Sequence, residues 1–465
     1  MIPVANAKLK LEEDVEFIFS EAARFRKLER QWLETKKAPA ELKEGYLWEI
    51  PFPDDEQKKL PIGRAAMARL EDLANLASLR ARIDSQVDVL TVRQPLGQSL
   101  IRRFVLEGRP ITVQHIERAM SEAARKATKK LHTTTHYIPC HLMIAQEPAR
   151  FALGPVAFLR RSEFRALLAK RLWASRAEHR SNWQFLGDAA RYYKSFGWVA
   201  EVTVPNCDEK TSERVAQSAV TSALNCLHLL FGAGHTARMV VGGPSIERDK
   251  RGSFRVVKGR LTFWASYGGP GEVGFNEDWM ELLDDDEAQV LLKLCGVALE
   301  AASDPRLERP LSDRFLDASH WYGEAVRETS SAAKVIKYVT ALERMFMTDE
   351  KDNIIDTMSQ RIATFCSDPS ASDDFSRWEA DARRAYDLRS KLAHGSMSPR
   401  DPAVYEGVRL GSEVGRAALL SGLAAFEEPG LRQQGMTRKE IARWFQSCVQ
   451  HGDAVRAHFN AKTKP

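Results

Sequence analysis

Residues 386–395 read YDLRSKLAHG: an arginine and a histidine five positions apart, Arg389 and His394, with a glycine directly behind. A guanidinium can clamp the non-bridging oxygens of a phosphate, and an imidazole exchanges protons near neutral pH. Between them they offer what cleavage of an RNA phosphodiester needs, a group to move protons and a fixed cation for the charge that builds on the phosphate oxygens. The same residues also have an architectural reading. Trp378, Ala382, Ala385 and Leu392 form an apolar stripe at helical spacing. Gly395 suits the left-handed position past a helix end, and Pro399 follows soon after. His394 would then cap carbonyls where the helix dipole favours a cation by about 0.3–1 kcal/mol.

A carboxylate elsewhere bears on the choice. In KVIKYVTALERMF the apolar face holds Val335, Ile336, Val339, Leu342 and Phe346, and Glu343 falls inside that stripe. A carboxylate on a buried face needs a partner, and Arg389 is the candidate, either as a structural ion pair or as part of a site. Residues five apart on a helix differ by about 140° and about 7.5 Å along the axis, so Arg389 and His394 point different ways. A flexible side chain, an altered last turn, or a two-fold axis through the helix end would each bring such groups together.

Other constellations compete. His132, His136, Cys140 and His141 lie in LHTTTHYIPCH and have zinc-ligand chemistry. The stretch also reads as a strand, on which His136 and Cys140 share one face and His141 the other. Gly242, Gly243, Gly268, Gly269, Gly271 and Gly274 fit neither a phosphate loop nor a dinucleotide fingerprint and read as turns. The run Asp284, Asp285, Asp286, Glu287 reads as the N-terminal turn of a following helix. Arg160, Arg161, Arg165, Lys170 and Arg171 form a basic cluster that is either a solvated helix face or a phosphate-binding surface.

These residues need elements to hold them. Helical spacing is expected over 8–36, 63–83 and 111–131, with the proline-containing stretch GYLWEIPFPDDEQKKLP as a loop. TTTHYIPCHLMI, FALGPVAFL, WVAEVTVP and ARMVVGG read as strands, and two more strands flank Lys258-Gly259. Helices are expected near 162–175, 211–231 and 284–303. From about 310 the pattern is wholly helical, including a stripe of Ile354, Met358, Ile362 and Phe365 and a capping box at Thr437 and Glu440. The fold class expected is therefore α+β followed by an all-α bundle, in three domains: a mostly helical 1–130, an α+β 131–305 and a helical 306–465.

The net charge of +5 on 465 residues permits a nucleic-acid partner without demanding one. The six cysteines form no CxxC pair and read as free thiols of a reducing compartment. No apolar run is long enough to cross a bilayer, and the start lacks the apolar core of a signal peptide. A cytoplasmic protein is expected, with no membrane partner.

The order "ALE" on one helix, "SQRIA" on the next, then YDLRSKLAHG resembles the HEPN superfamily, in particular its ApeA-like branch, over residues 310–460. The resemblance implies a small helical bundle that works as a homodimer. It implies a metal-independent, cofactor-free endoribonuclease with a role in bacterial anti-phage defence or abortive infection. RNA such as tRNA would be the substrate and a phage-derived factor a trigger. Arg389 and His394 match the motif. Ser390 stands where catalytic members often hold another polar residue, and Glu343 where a supporting carboxylate is implied. The neighbouring cations Lys391, Arg384 and Arg361 are candidates to hold the RNA backbone. Some HEPN bundles are inactive and serve as dimerisation, nucleotide-binding or RNA-binding modules, which is the alternative reading.

Overall fold

The computed structural model describes residues 4–35, 48–55, 57–145, 147–174, 193–242, 249–257, 260–268, 279–348, 353–368, 371, 373–427 and 429–452. The Lys258-Gly259 turn and Gly243, Gly269, Gly271 and Gly274 lie outside them. The chain forms two compact units, Met1–Thr134 with Pro205–Arg214, and Thr135–Val204 with Val215–Pro465.

The first unit is built on α1 (Val4–Thr35), α2 (Arg64–Arg80), α3 (Val89–Leu100) and α4 (Val113–Thr128). Leu11, Val15, Ile18, Ala22 and Phe25 recur at helical spacing on α1 and are all buried. Asp14 is buried among them and accepts a hydrogen bond from Arg69 at 2.6 Å, while the same guanidinium lies 4.2 Å over the Phe17 ring. Two features depart from the expectation. The proline-containing stretch expected as a loop holds an antiparallel pair, β1 (Trp48–Pro51) and β2 (Lys59–Ile62). In a two-stranded ribbon both strands are edges, so Pro51 and Pro61 are tolerated, and Ile50, Leu60 and Ile62 are buried in the helical core. Helix α3 forms where the sequence shows no helical expectation, with Pro95 inside it, and it runs on into a π-helical turn, Ile101–Leu106.

The second unit carries a five-stranded sheet: β3 (His132–His141), β4 (Arg150–Leu153), β5 (Val156–Arg160), β6 (Trp198–Cys207) and β7 (Val240–Val241), in the order β4-β5-β6-β3-β7. β4 pairs antiparallel with β5, β5 with β6, and β7 with β3. Helices α5 (Arg161–Ala174), α6 (Glu209–Phe231) and the single turn α7 (Ala233–Thr236) belong to this stretch. β8 (Asp249–Val257) and β9 (Arg260–Gly268) form a separate antiparallel pair. Helix α8 (Asp286–Ser303) starts at Asp285, whose carboxylate accepts from the Ala288 amide, so the acidic run opens a helix.

Six helices follow: α9 (Pro310–Arg327), α10 (Ser331–Phe346), α11 (Ile354–Cys366), α12 (Asp374–Ala393), α13 (Ala403–Ala425) and α14 (Arg438–Gln450). The capping box at Thr437 and Glu440 is formed. The sheet-bearing stretch and this bundle lie in one compact unit; Arg416 of α13 donates to the carbonyls of Leu229 and Leu230 of α6 at 2.7 and 2.8 Å. The arrangement is thus α and β elements first, then helices alone. Among the described residues no helix is long and apolar enough to cross a membrane.

Helix α10 is held along its face and at its C-terminus. Gly407, Gly411 and Gly415 of α13 recur every fourth residue, and a Cβ on them would come within 3.0 Å of Val335, 3.1 Å of Tyr338 and 3.3 Å of Tyr322. Their lack of side chains lets the helices approach closely. At the C-terminus of α10, buried Arg314 donates to the carbonyls of Arg344 and Met347 at 2.9 and 2.5 Å, and buried Arg361 donates to that of Phe346 at 2.5 Å. Two cations thus satisfy the last carbonyls, where the helix dipole is negative.

Candidate active site at the ends of two bundle helices

Helix α12 is seated by Ala382, Ala385 and Leu388, all buried, with Trp378 and Leu392 half-buried at the margins. Leu388 packs in a small cluster with Val335 of α10 and Val404 of α13. This fixes the next residue, Arg389, against α10. Its guanidinium donates to Glu343 at 3.2 Å, with the side chains 25% and 22% exposed, so the pair is neither a surface bridge nor fully buried. Burial holds the Glu343 carboxyl above its ordinary range, and the Arg389 charge offsets this only in part. The guanidinium also lies 5.7 Å over the Tyr386 ring, one turn earlier on α12. Tyr386, the first residue of the motif stretch, is thus a wall of the site that helical spacing alone does not announce.

His394 occupies the C-cap of α12. Gly395 follows at φ +73°, the left-handed conformation that suits glycine. Its amide donates to the Leu392 carbonyl at 3.2 Å and that of Ser396 to the Lys391 carbonyl at 3.0 Å, the bond pair of a Schellman end. The backbone therefore satisfies these carbonyls. The imidazole of His394 is exposed and makes no hydrogen bond with a described residue. Ser390 is half-buried, and its carbonyl accepts from the His394 amide at 2.9 Å. The structure brings Glu343 and Arg389 together and leaves His394 exposed at the end of the same helix, without a hydrogen bond to the pair.

The surrounding cations divide. Lys391 and Arg384 are exposed, and each already has a carboxylate, Asp387 at 2.6 Å and Glu406 at 2.8 Å. Arg361 corrects the expectation of an RNA contact. It is 6% exposed, donates to the Phe346 carbonyl and lies 4.8 Å over the Phe445 ring, so its cation is a part of the bundle core.

The rival constellation is dispersed by the sheet. His141 is buried with its ring 4.8 Å from that of Phe196, Cys140 is buried, and His132 is exposed with Nδ1 on the Lys130 carbonyl. Among the described residues no group of three or more His, Cys, Asp or Glu could hold a metal ion.

A second polar cluster, which the sequence did not announce, lies between α6 and α9. Arg327 donates to Asn225 Oδ1 at 3.1 Å and lies 3.0 Å from His228 Nε2, and it is paired with Glu324 at 2.8 Å. A guanidinium only donates, so Nε2 accepts and the imidazole is neutral. Burial first, and the Arg327 charge second, push the His228 pKa down to about 3. The unfolded chain holds this proton below about pH 6.5. The stabilisation is therefore whole above that pH and is lost as pH falls toward 3, at up to about 1.4 kcal/mol per pH unit. Thermal unfolding from pH 7 to pH 5 is expected to show a steeper loss of Tm in the wild type than in His228→Gln, which keeps an acceptor for Arg327. Equal slopes in the two proteins would remove His228 from the account.

Compared with protein-family models, with curated proteins and with solved structures, the chain matches none of them.

Proposed function

We propose that the chain is a metal-independent endoribonuclease of HEPN type that cleaves RNA such as tRNA as a bacterial anti-phage effector, working as a homodimer through its helical bundle. One observation carries the reading: the motif arginine, Arg389, is held by Glu343 of a neighbouring helix while His394 stands exposed at the end of the same helix. In this mechanism the 2′-OH of the RNA attacks the adjacent phosphorus and loses its proton to an imidazole. The bond to the 5′-oxygen breaks, that oxygen takes up a proton, and a 2′,3′-cyclic phosphate remains. Arg389 neutralises the charge on the non-bridging oxygens, and Glu343 holds the guanidinium without touching substrate. One imidazole cannot serve as base and acid at the same instant, so a second copy of the chain would bring the other.

The paired state of Lys391 and Arg384 favours a second reading, an inactive HEPN bundle that dimerises or binds RNA or nucleotide, because these two cations near the motif are already spent on carboxylates. Expression separates the two. The nuclease reading expects wild-type expression to slow host growth and leave RNA fragments ending in cyclic phosphate, with Arg389→Ala relieving both. Purified protein incubated with tRNA and total RNA in EDTA, alone and with extract of phage-infected cells, gives the direct test. Intact RNA under both conditions would leave only the binding module.

A further inference from the structure

The sheet-bearing stretch holds a cleft that the ribonuclease reading does not use. A cavity of about 470 Å³ is lined by Arg160, Arg161, Ser162, Arg165 and Phe196 among others, with no aspartate or glutamate among the described residues that line it. Arg161, Ser162 and Arg165 also line a second cavity of about 490 Å³, whose other walls include Phe164 and Tyr193. Each lies within the size range of small-ligand sites. The shared wall is the first turn of α5. The amides of Arg160 and Arg161 are taken by the carbonyls of Ala149 and Gly197, both at 2.9 Å, and among the described residues no backbone carbonyl takes those of Ser162 and Glu163.

The cations of the cleft are held differently. Arg160 is 7% exposed, donates to the Met143 and Ile144 carbonyls and lies 4.8 Å over the Trp198 ring, so it contributes fixed charge from below. Arg161 is exposed and spends one nitrogen on the Lys194 carbonyl at 2.8 Å. Arg165 is exposed and forms no ion pair with a described residue. Beside this charge the ring of Tyr193 stacks on Phe164 at 5.0 Å and is anchored by its hydroxyl to the Tyr137 carbonyl at 2.5 Å. The cationic chamber suits phosphate, and the adjoining aromatic wall suits a flat, apolar ring.

We propose that this cleft binds a nucleoside phosphate, with its phosphates on Arg161, Ser162 and Arg165 and its base against Tyr193. The inference does not rest on the ribonuclease reading, and its test does not measure RNA cleavage. Full-length protein would be titrated with the N-methylanthraniloyl derivatives of ATP and GTP and followed by fluorescence. Saturable binding is expected for at least one, displaced by the same unlabelled nucleotide. Arg165→Ala should weaken it roughly tenfold or more, the scale of a lost hydrogen bond to a charged group. Tyr193→Ala should weaken the nucleotide while leaving competition by inorganic phosphate unchanged. Arg409→Ala, an exposed arginine on α13, should change nothing. Because Arg165 is exposed, its variant keeps the wild-type Tm; Arg161→Ala, which also loses the Lys194 contact, is secondary. The proposal is overturned if neither nucleotide binds, or if Arg165→Ala binds as the wild type does. It is also overturned if an eight-nucleotide RNA displaces the probe where free nucleotides fail, which would make the cleft an RNA groove.

Discussion

His394→Ala is expected to lower RNA cleavage by about 10²- to 10⁴-fold, the usual contribution of a positioned acid or base, without lowering Tm. The exposed imidazole makes no hydrogen bond to a described residue, and the helix end is closed by backbone amides on Leu392 and Lys391, so the fold loses nothing with the ring. Arg389→Ala should cost about 10²- to 10³-fold, but it also strips Glu343 of its counter-charge, and that half-buried carboxyl would then favour its neutral form. Arg389→Lys is the cleaner probe: it keeps a positive charge near Glu343 and loses the planar fork that holds two phosphate oxygens. Glu343→Gln tests positioning alone. A carboxamide still accepts from Arg389, so kcat should fall about tenfold with KM little changed, and RNA affinity should follow the wild type. Single-turnover cleavage with labelled tRNA reads all four. If His394→Ala and the wild type cleave at the same rate, the imidazole is an ornament of the helix end and the ribonuclease proposal goes with it.

How much of this was legible depends on what each residue answers to. The end of α12 is local chemistry: Gly395, the apolar stripe and Pro399 sufficed. Which groups cap that end was not legible, because amides and an imidazole compete for the same carbonyls and only the backbone conformation at Gly395 decides. Glu343 was legible as an anomaly, a carboxylate on an apolar stripe, and its partner follows once α10 and α12 are packed. Arg361 obeyed the same rule. It stands between Met358 and Ile362, on the very stripe that includes Phe365, so a cation there had to be buried and paired; what it meets, the last carbonyl of α10, is tertiary. The β1–β2 pair and α3 were hidden because proline suppresses the local signal, while burial of Ile50, Leu60 and Leu96 in a shared core overrides it. The His228 cluster depends on Arg327 arriving from a helix almost a hundred residues away, which periodicity cannot report.

Arg361→Met is expected to be the most destabilising single change near the site, by about 2–4 kcal/mol, read as a lower urea midpoint with an unchanged m-value. Methionine fills much of the volume, so the loss is chiefly polar: the Phe346 carbonyl loses its charged donor and the Phe445 ring loses its cation. One nitrogen of Arg314 is already engaged by the carbonyls of Arg344, Met345 and Met347. The last turn of α10 should fray, and Glu343 lies in that turn. Cleavage is then expected to fall in Arg361→Met through a displaced Glu343–Arg389 pair, with no change in the salt dependence of RNA binding. An RNA-contacting arginine would behave oppositely, keeping the wild-type Tm while its loss reduces the salt slope. Arg384→Ala is the control, because its exposed pairing with Glu406 should leave Tm where it was. A stable Arg361→Met protein with a reduced salt slope would return Arg361 to the RNA surface and require the C-terminus of α10 to be held by Arg314 alone.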